Sequence, residues 1–270
     1  MVKDEDSKGM KTFAITREFS SSYEFRNAME SYGWSVIFLK TIEIIPKPHL
    51  EIERIVSHII RDNYDTCLFL SGNAVEIIVR NAISTGNRLA LTSKLRSIRT
   101  ICIGPRTKEK LSNYGIDSAI MPEKYNSQGL VTYLSRDNSR PTRIVVPRSQ
   151  LGDSTIARSL SKFGILVDQF YLYDIKANSV VDEEWAWFFD LLRGRKIDAI
   201  GFTSASSARA FFQILQRELG WEELSYVRQM KGLVSIGHMT TSELKKHAPG
   251  PFIEAVEHTL QGILEASKAV

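Results

Sequence analysis

From residue 12 onward the chain runs through three short patterns in one order and then repeats them in that order. A duplicated strand–helix block restricts the fold to architectures in which one supersecondary unit is used twice. The first pattern is a strand, an arginine, a helix, a glycine and a second strand. It reads Thr12-Phe13-Ala14-Ile15-Thr16-Arg17, a helical stretch to Tyr32-Gly33, then Val36-Ile37-Phe38-Leu39. It returns as Arg143-Ile144-Val145-Val146-Pro147-Arg148, a helical stretch to Phe163-Gly164, then Ile165-Leu166-Val167. Arg17 and Gly33 map onto Arg148 and Gly164, each 131 positions on. The second pattern, Leu68-Phe69-Leu70-Ser71-Gly72-Asn73-Ala74, recurs as Gly201-Phe202-Thr203-Ser204-Ala205-Ser206-Ser207 at a step of 133. The third, Ile103-Gly104-Pro105-Arg106-Thr107, recurs as Ile236-Gly237-His238-Met239-Thr240 at the same step of 133, and Gln128-Gly129 with Gln261-Gly262 keeps it.

The local chemistry of the repeats identifies the fold class. Ile144-Val145-Val146 and Ile101-Cys102-Ile103 are short, continuous apolar runs, as parallel strands covered on both faces require. Val75, Ile78 and Val79 make one apolar helical stripe, as do Ala208, Phe211, Phe212 and Leu215. Gly33, Gly115 and Gly164 stand where helices should stop. Strand–helix alternation predicts doubly wound parallel sheets.

Two segments, Ile42-Glu43-Ile44-Ile45 before Pro46-Lys47-Pro48 and Tyr171-Leu172-Tyr173-Asp174-Ile175, occupy matching repeat positions and alternate apolar with polar. They suit a half-exposed pair of linking strands. Two partitions are open: each repeat is a domain, or the chain crosses twice. The linkers each follow a copy of the first pattern, which favours the second. On that reading residues 10–44 and 176–265 form a discontinuous domain 1, residues 45–175 form domain 2, and residues 1–9 are a disordered tail. The function is expected in a cleft between the two copies.

In open α/β sheets, ligands bind beyond the carboxyl ends of the strands. Those ends carry Arg17, Ser71-Gly72-Asn73, Gly104-Pro105-Arg106-Thr107, Arg148, Thr203-Ser204-Ala205-Ser206 and Gly237-His238-Met239-Thr240. Serine and threonine there serve as helix caps, and capping alone accounts for any one of them. Helix N-termini also offer free N–H groups to anions. Glycines permit close backbone approach. Arg17, Arg106 and Arg148 are candidates for bidentate pairing with carboxylates. The candidate ligand contacts are therefore Arg17, Ser71, Gly72, Asn73, Gly104, Arg106, Thr107, Arg148, Thr203, Ser204, Ala205, Ser206, Gly237, His238 and Thr240.

Several functions are disfavoured. No G-x-G-x-x-G, G-K-[ST] or G-x-S-x-G motif occurs, so neither a nucleotide cofactor nor a nucleophile elbow is expected. His49, His58, His238, His247 and His258 lack metal-ligand spacing, so no metal is expected. Cys67 and Cys102 sit in strand-like runs and read as buried thiols of a cytoplasmic protein. The net charge of +4 permits a polyanionic ligand but is too weak and too spread to argue nucleic acid. No apolar run reaches the roughly 18 residues of a membrane helix, and the polar N-terminus does not read as a secretory signal.

The chain resembles the uroporphyrinogen-III synthase family. The residues that carry the resemblance are Phe202-Thr203-Ser204-Ala205-Ser206-Ser207-Ala208, Ile103 through Leu111, Tyr125-Asn126-Ser127-Gln128-Gly129-Leu130 and Leu172-Tyr173. The likeness spans about residues 12 to 265. It implies two flavodoxin-like domains joined by a two-stranded β-ladder, with the first domain discontinuous. It implies a cofactor-free, monomeric, cytoplasmic lyase acting on hydroxymethylbilane, a linear tetrapyrrole with acetate and propionate arms. The reaction loses water and closes the macrocycle with the last ring inverted, through an azafulvene cation and a spiro intermediate. Tyr173 matches the family tyrosine that follows the second copy of the first pattern, and it is the implied donor to the departing hydroxyl. Tyr171 is a rival for that role. His238-Met239 and Gly72-Asn73 depart from the family's usual residues at those loops. The alternative is a non-catalytic bilobal protein on this scaffold that binds an anionic ligand or regulates.

Overall fold

The computed structural model describes residues 10–19, 23–123, 127–136, 140–150 and 155–270. The tail expected at 1–9 and the Tyr125-Asn126 pair lie outside them. In chain order the elements are β1 (Lys11–Ile15), α1 (Tyr23–Ser31), β2 (Trp34–Phe38), β3 (Ile42–Pro46), α2 (His49–Arg61), β4 (Thr66–Phe69), α3 (Gly72–Ser84), α4 (Arg88–Ser97), β5 (Arg99–Cys102), α5 (Pro105–Asn113), α6 (Ser127–Arg136) and β6 (Arg143–Ser149). There follow α7 (Thr155–Ser161), β7 (Leu166–Ala177), α8 (Glu183–Arg193), β8 (Ala199–Phe202), α9 (Ala205–Glu218), α10 (Trp221–Gln229), β9 (Leu233–Ser235), α11 (His238–Leu244), β10 (Ile253–Glu254) and α12 (Leu260–Ser267).

The chain divides into two compact units, Met1–Glu43 with Lys176–Val270, and Ile44–Ile175. The first contains a five-stranded sheet in the order β10-β9-β8-β1-β2, and its described pairings are parallel. Numbered within its own unit, that order is 2-1-3-4-5. The second sheet runs β3-β7-β6-β4-β5, and Ile120 adds a parallel bridge to Ile101 beyond β5. Ile120 lies 133 residues before Ile253 of β10, so it is the fifth strand of this copy reduced to one bridge. The second sheet therefore has the same spatial order. Its chain order is circularly permuted, because β6 and β7 follow β4 and β5.

Each unit buries its own apolar residues. In the first, Trp185, Phe188, Phe202, Phe211 and Phe212 pack on one face of the sheet, and Phe13, Phe25, Met29 and Trp34 on the other. In the second, Ile55, Val56, Ile59, Phe69, Val75 and Ile78 fill one core, and Leu68, Ile101, Leu130, Ile144 and Leu160 the other. Strands β4 and β8 are buried at every position, which is why their sequences are apolar without alternation. Gly33, Gly115 and Gly164 follow α1, α5 and α7 with φ of 79°, 81° and 75°, the left-handed conformation a helix C-terminus needs.

The second copy of the linking segment differs from expectation. Leu166 to Ala177 is one uninterrupted strand, whereas the first copy breaks between β2 and β3. The reason is sheet membership: β2 lies in the first sheet and β3 in the second, but β7 pairs with both β6 and β3 in one sheet. Backbone bonds from Lys47 N–H to the Leu172 carbonyl and from Asn178 N–H to the Thr41 carbonyl make the β3–β7 pairing antiparallel.

Candidate functional site

In the second unit the structure brings Tyr173 and Ser71 together. Ser71 caps α3 from an extended conformation, its Oγ accepting from the Ala74 N–H at 3.2 Å. The same Oγ lies 2.8 Å from the Tyr173 hydroxyl, and either oxygen can donate. Tyr173 is only 3% exposed, whereas Tyr171 is 42% exposed. Two residues apart on a regular strand, they would share a face. A β-bulge separates them: Arg148 pairs with Tyr171 and Ser149 with Tyr173, leaving Leu172 as the extra residue. Up to the bulge, Phe170 and the bulged Leu172 itself contribute to the core beneath α2 and α3; after it, Tyr173 and Ile175 do. The bulge thus aims Tyr173 at the head of α3. Beside it, Lys47 Nζ donates to Asp174 Oδ2 at 3.0 Å and to Gln150 Oε1 at 2.9 Å.

Arg148 departs from its expected setting. It lies inside β6, 4% exposed, with Nη1 donating to Gln169 Oε1 at 2.6 Å and Nε to the Ser149 carbonyl. It is a buried guanidinium held by neutral acceptors and not a solvated charge. Arg106 is exposed in the first turn of α5, and Arg17, just past β1, is half-buried. Gly104 caps α5. Asn73 is half-buried in the first turn of α3. Gly72 makes room for this chain's own side chain: a Cβ there would stand 3.0 Å from Lys110 Cδ.

The first unit carries the equivalent loops. Ser204 caps α9 with a full capping box: its Oγ accepts from Ser207 N–H at 3.0 Å, and the Ser207 Oγ accepts from Ser204 N–H at 3.0 Å. Ser206 Oγ lies 3.1 Å from Ser204 Oγ, and Ala205 opens the helix between them. Thr203 Oγ1 donates to the Thr16 carbonyl at 2.8 Å, while Thr16 Oγ1 lies 3.0 Å from Ser207 Oγ. Thr16 and Ser207, both 2% exposed, join this network although sequence reasoning passed over them as site residues. A threonine one residue past a strand and a serine between serine and alanine carry no distinctive local signal. Gly237 caps α11, and a Cβ there would meet the His258 ring at 2.6 Å. His238 is exposed, and its departure from the family pattern leaves the helix start unchanged. Thr107 and Thr240, equivalent positions in the two copies, are 5% and 2% exposed.

Burial pushes the thiols of Cys67 and Cys102 up, so both are inert at neutral pH. Among the described residues of the first unit, the Glu243 carboxylate is the most perturbed acid. A hydrogen-bonded Arg209 guanidinium, aided by Lys246 and His247, outweighs its burial and lowers it to about 2.

These features define an open, parallel α/β protein whose strand-end loops present hydroxyls and helix N-termini, with a buried strand tyrosine turned toward one of them. The profile described as Uroporphyrinogen-III synthase HemD matches residues 24–265. The chain therefore belongs to the uroporphyrinogen-III synthase family. It is 24% identical over 237 residues to the uroporphyrinogen-III synthase of Chlorobaculum parvum, covering 88% of this chain and 89% of the relative. It is 25% identical to that of Synechococcus elongatus, covering 95% and 94%. Among solved structures, a mutant uroporphyrinogen III synthase from the extreme thermophile Thermus thermophilus superposes with a TM-score of 0.64 at 16% identity, covering 96% of this chain and 98% of that one. The Helicobacter pylori uroporphyrinogen-III synthetase gives 0.58 at 18% identity, covering 96% and 99%. At such identities the structural likeness speaks for the fold.

Proposed function

We propose that this protein is a uroporphyrinogen-III synthase, an enzyme of porphyrin synthesis. As a cyclising hydro-lyase it converts hydroxymethylbilane to uroporphyrinogen III with loss of water and inversion of the terminal ring. The observation that carries the proposal is the buried Tyr173 hydroxyl on Ser71 at the head of α3, in a chain that matches the family over 24–265. Ser71 Oγ accepts from Ala74 N–H and can donate its own proton to the phenol oxygen. The phenolic O–H is then left for the departing hydroxyl. Proton donation as the C–O bond breaks releases water, and the proton lost when the macrocycle closes restores the phenol. The strand-end loops, from Ser71-Gly72-Asn73 and Gly104–Thr107 to Thr203–Ser206 and Gly237–Thr240 with Arg17, hold the carboxylate arms and supply positioning. No cofactor enters this scheme.

The 2-1-3-4-5 strand order of the first unit, kept in space by the second with its chain order permuted, supports reading the units as flavodoxin-like domains. Their proposed bounds are 10–44 with 176–265, and 45–175, joined by the β3–β7 ladder. Among the described residues no helix is long and apolar enough to cross a membrane. A cytoplasmic monomer remains part of the proposal. The deciding experiment incubates the protein with freshly prepared hydroxymethylbilane and resolves the product isomers. The type III isomer is expected; only the type I isomer, the spontaneous product, would overturn the reading in favour of a binding or regulatory protein.

A further inference from the structure

The two copies share one more correspondence, and it is not one of residue identity. In the second unit Glu76 of α3 pairs with Lys110 of α5. In the first, Arg209 of α9 pairs with Glu243 of α11 through two bonds of 2.9 and 3.0 Å. Arg209 lies 133 positions beyond Glu76, and Glu243 lies 133 beyond Lys110. The same two helix positions are bridged in both copies, with the charges exchanged. The satellite cations exchange too. Glu76 takes a second partner, Arg80, from its own helix at 2.7 Å, and Glu243 takes Lys246 from its own segment at 2.8 Å. At the positions equivalent to Arg80 and Lys246 stand Gln213 and Asn113. An ion pair depends on opposite sign and reach, so reversing both members preserves the bridge. A lone acid beside loops that receive a polycarboxylate would repel it; in each copy the acid is neutralised by its bridge.

Lys110 does more than neutralise. Its stem lies across Gly72, in the loop that carries Ser71. The bridge therefore ties the second turn of α5, just beyond the Gly104–Thr107 loop, to the head of α3, where the Lys110 stem meets Gly72. We infer that Glu76–Lys110 and Arg209–Glu243 are one duplicated, sign-inverted clamp, whose members are positioning residues that hold paired strand-end loops in register for the substrate's carboxylate arms. This inference rests on the synthase reading proposed above.

The test uses the full chain and the half-exposed Glu76–Lys110 pair. In E76Q and K110Q, KM for hydroxymethylbilane rises about fivefold or more while kcat, carried by Tyr173, stays within about twofold. The variant E76R/R80Q/K110E installs the other copy's residue types at these three positions and returns KM to within about twofold of wild type. A purely structural pair would lower the active fraction without moving KM. Unchanged KM in both single variants, or a triple variant no better than the worse single one, overturns the clamp. Amide hydrogen exchange at the head of α5 gives a readout independent of turnover: faster in the single variants, restored in the triple. If the wild type makes only type I product, the synthase reading falls, and the exchange pattern still decides the clamp. Equal exchange in all four proteins would overturn it.

Discussion

Tyr173 reaches Ser71 because β7 breaks its own alternation at Leu172. Replacing Tyr173 with Phe removes one hydroxyl and leaves Ser71 capping α3 through Ala74. Type III product formation should fall on the order of a hundredfold, within the range of general acid contributions, while stability changes by about 1 kcal/mol, the worth of one hydrogen bond. Turnover at the wild-type level would remove Tyr173 from the mechanism. The identity and place of this tyrosine were legible in the chain. That Tyr173 and not Tyr171 is the buried one was not, because a bulge is a property of two paired strands and β6 lies more than 20 residues away. Glu243 was not singled out either, since a lone glutamate in a helix reads as solvated. It is 5% exposed and bound by Arg209, Lys246 and His247. Its folded-state value of about 2 lies below the ordinary 4.5. Its contribution is thus fully present above about pH 4.5 and is lost as pH falls toward 2. Urea unfolding of wild type and E243Q should show a stability difference that is constant from neutral pH to about 5 and shrinks steadily below it. A gap independent of pH would show that the carboxylate's charge is not what stabilises this site.

The helices are where local sequence signals served best. Ser71 and Ser204 cap α3 and α9 from nearly the same backbone angles, and the third residue of each helix meets the cap oxygen. The C-terminal glycines work alike. Gly33 and Gly164 have φ of 79° and 75°, and a Cβ at either meets nothing within 4 Å. Alanine there would therefore suffer backbone strain alone, about 1 kcal/mol at each site. G33A and G164A should lower the denaturation midpoint by similar amounts, with KM unchanged. A loss several times larger at one site would mean that the two copies of the helix end are not equivalent. Glycines inside the loops behave differently. Gly72 and Gly237 border Lys110 and the His258 ring, so contacts distant in the chain set their cost. Sequence reading assigned these two glycines to ligand approach because it had no means of seeing the side chains that fill the space.

At the scale of the molecule, the duplication is combined with an exchange. β1 and β2 complete the sheet of β8, β9 and β10, while β6 and β7 complete that of β4 and β5. Both cores of the second unit draw only on residues between Ile44 and Ile175. The fragment 44–175 should therefore fold alone, with one cooperative unfolding transition and native-like helical content by circular dichroism. A broad, non-cooperative melt would show that it depends on the rest of the chain. The chain by itself determined the repeat, the parallel strands, the helix caps and stops, and the loops that carry hydroxyls and arginines. Each of these depends on neighbours within a few residues or on apolar periodicity. Only the tertiary structure decided that Tyr173 turns toward α3, that Arg148 is buried, that Thr16 joins the Ser204 network, and that two ion pairs of opposite polarity hold equivalent helices. The physical reason is that burial, bulges and charge pairing are made between elements, and an exchanged ion pair preserves an interaction while erasing the identity a repeat search detects.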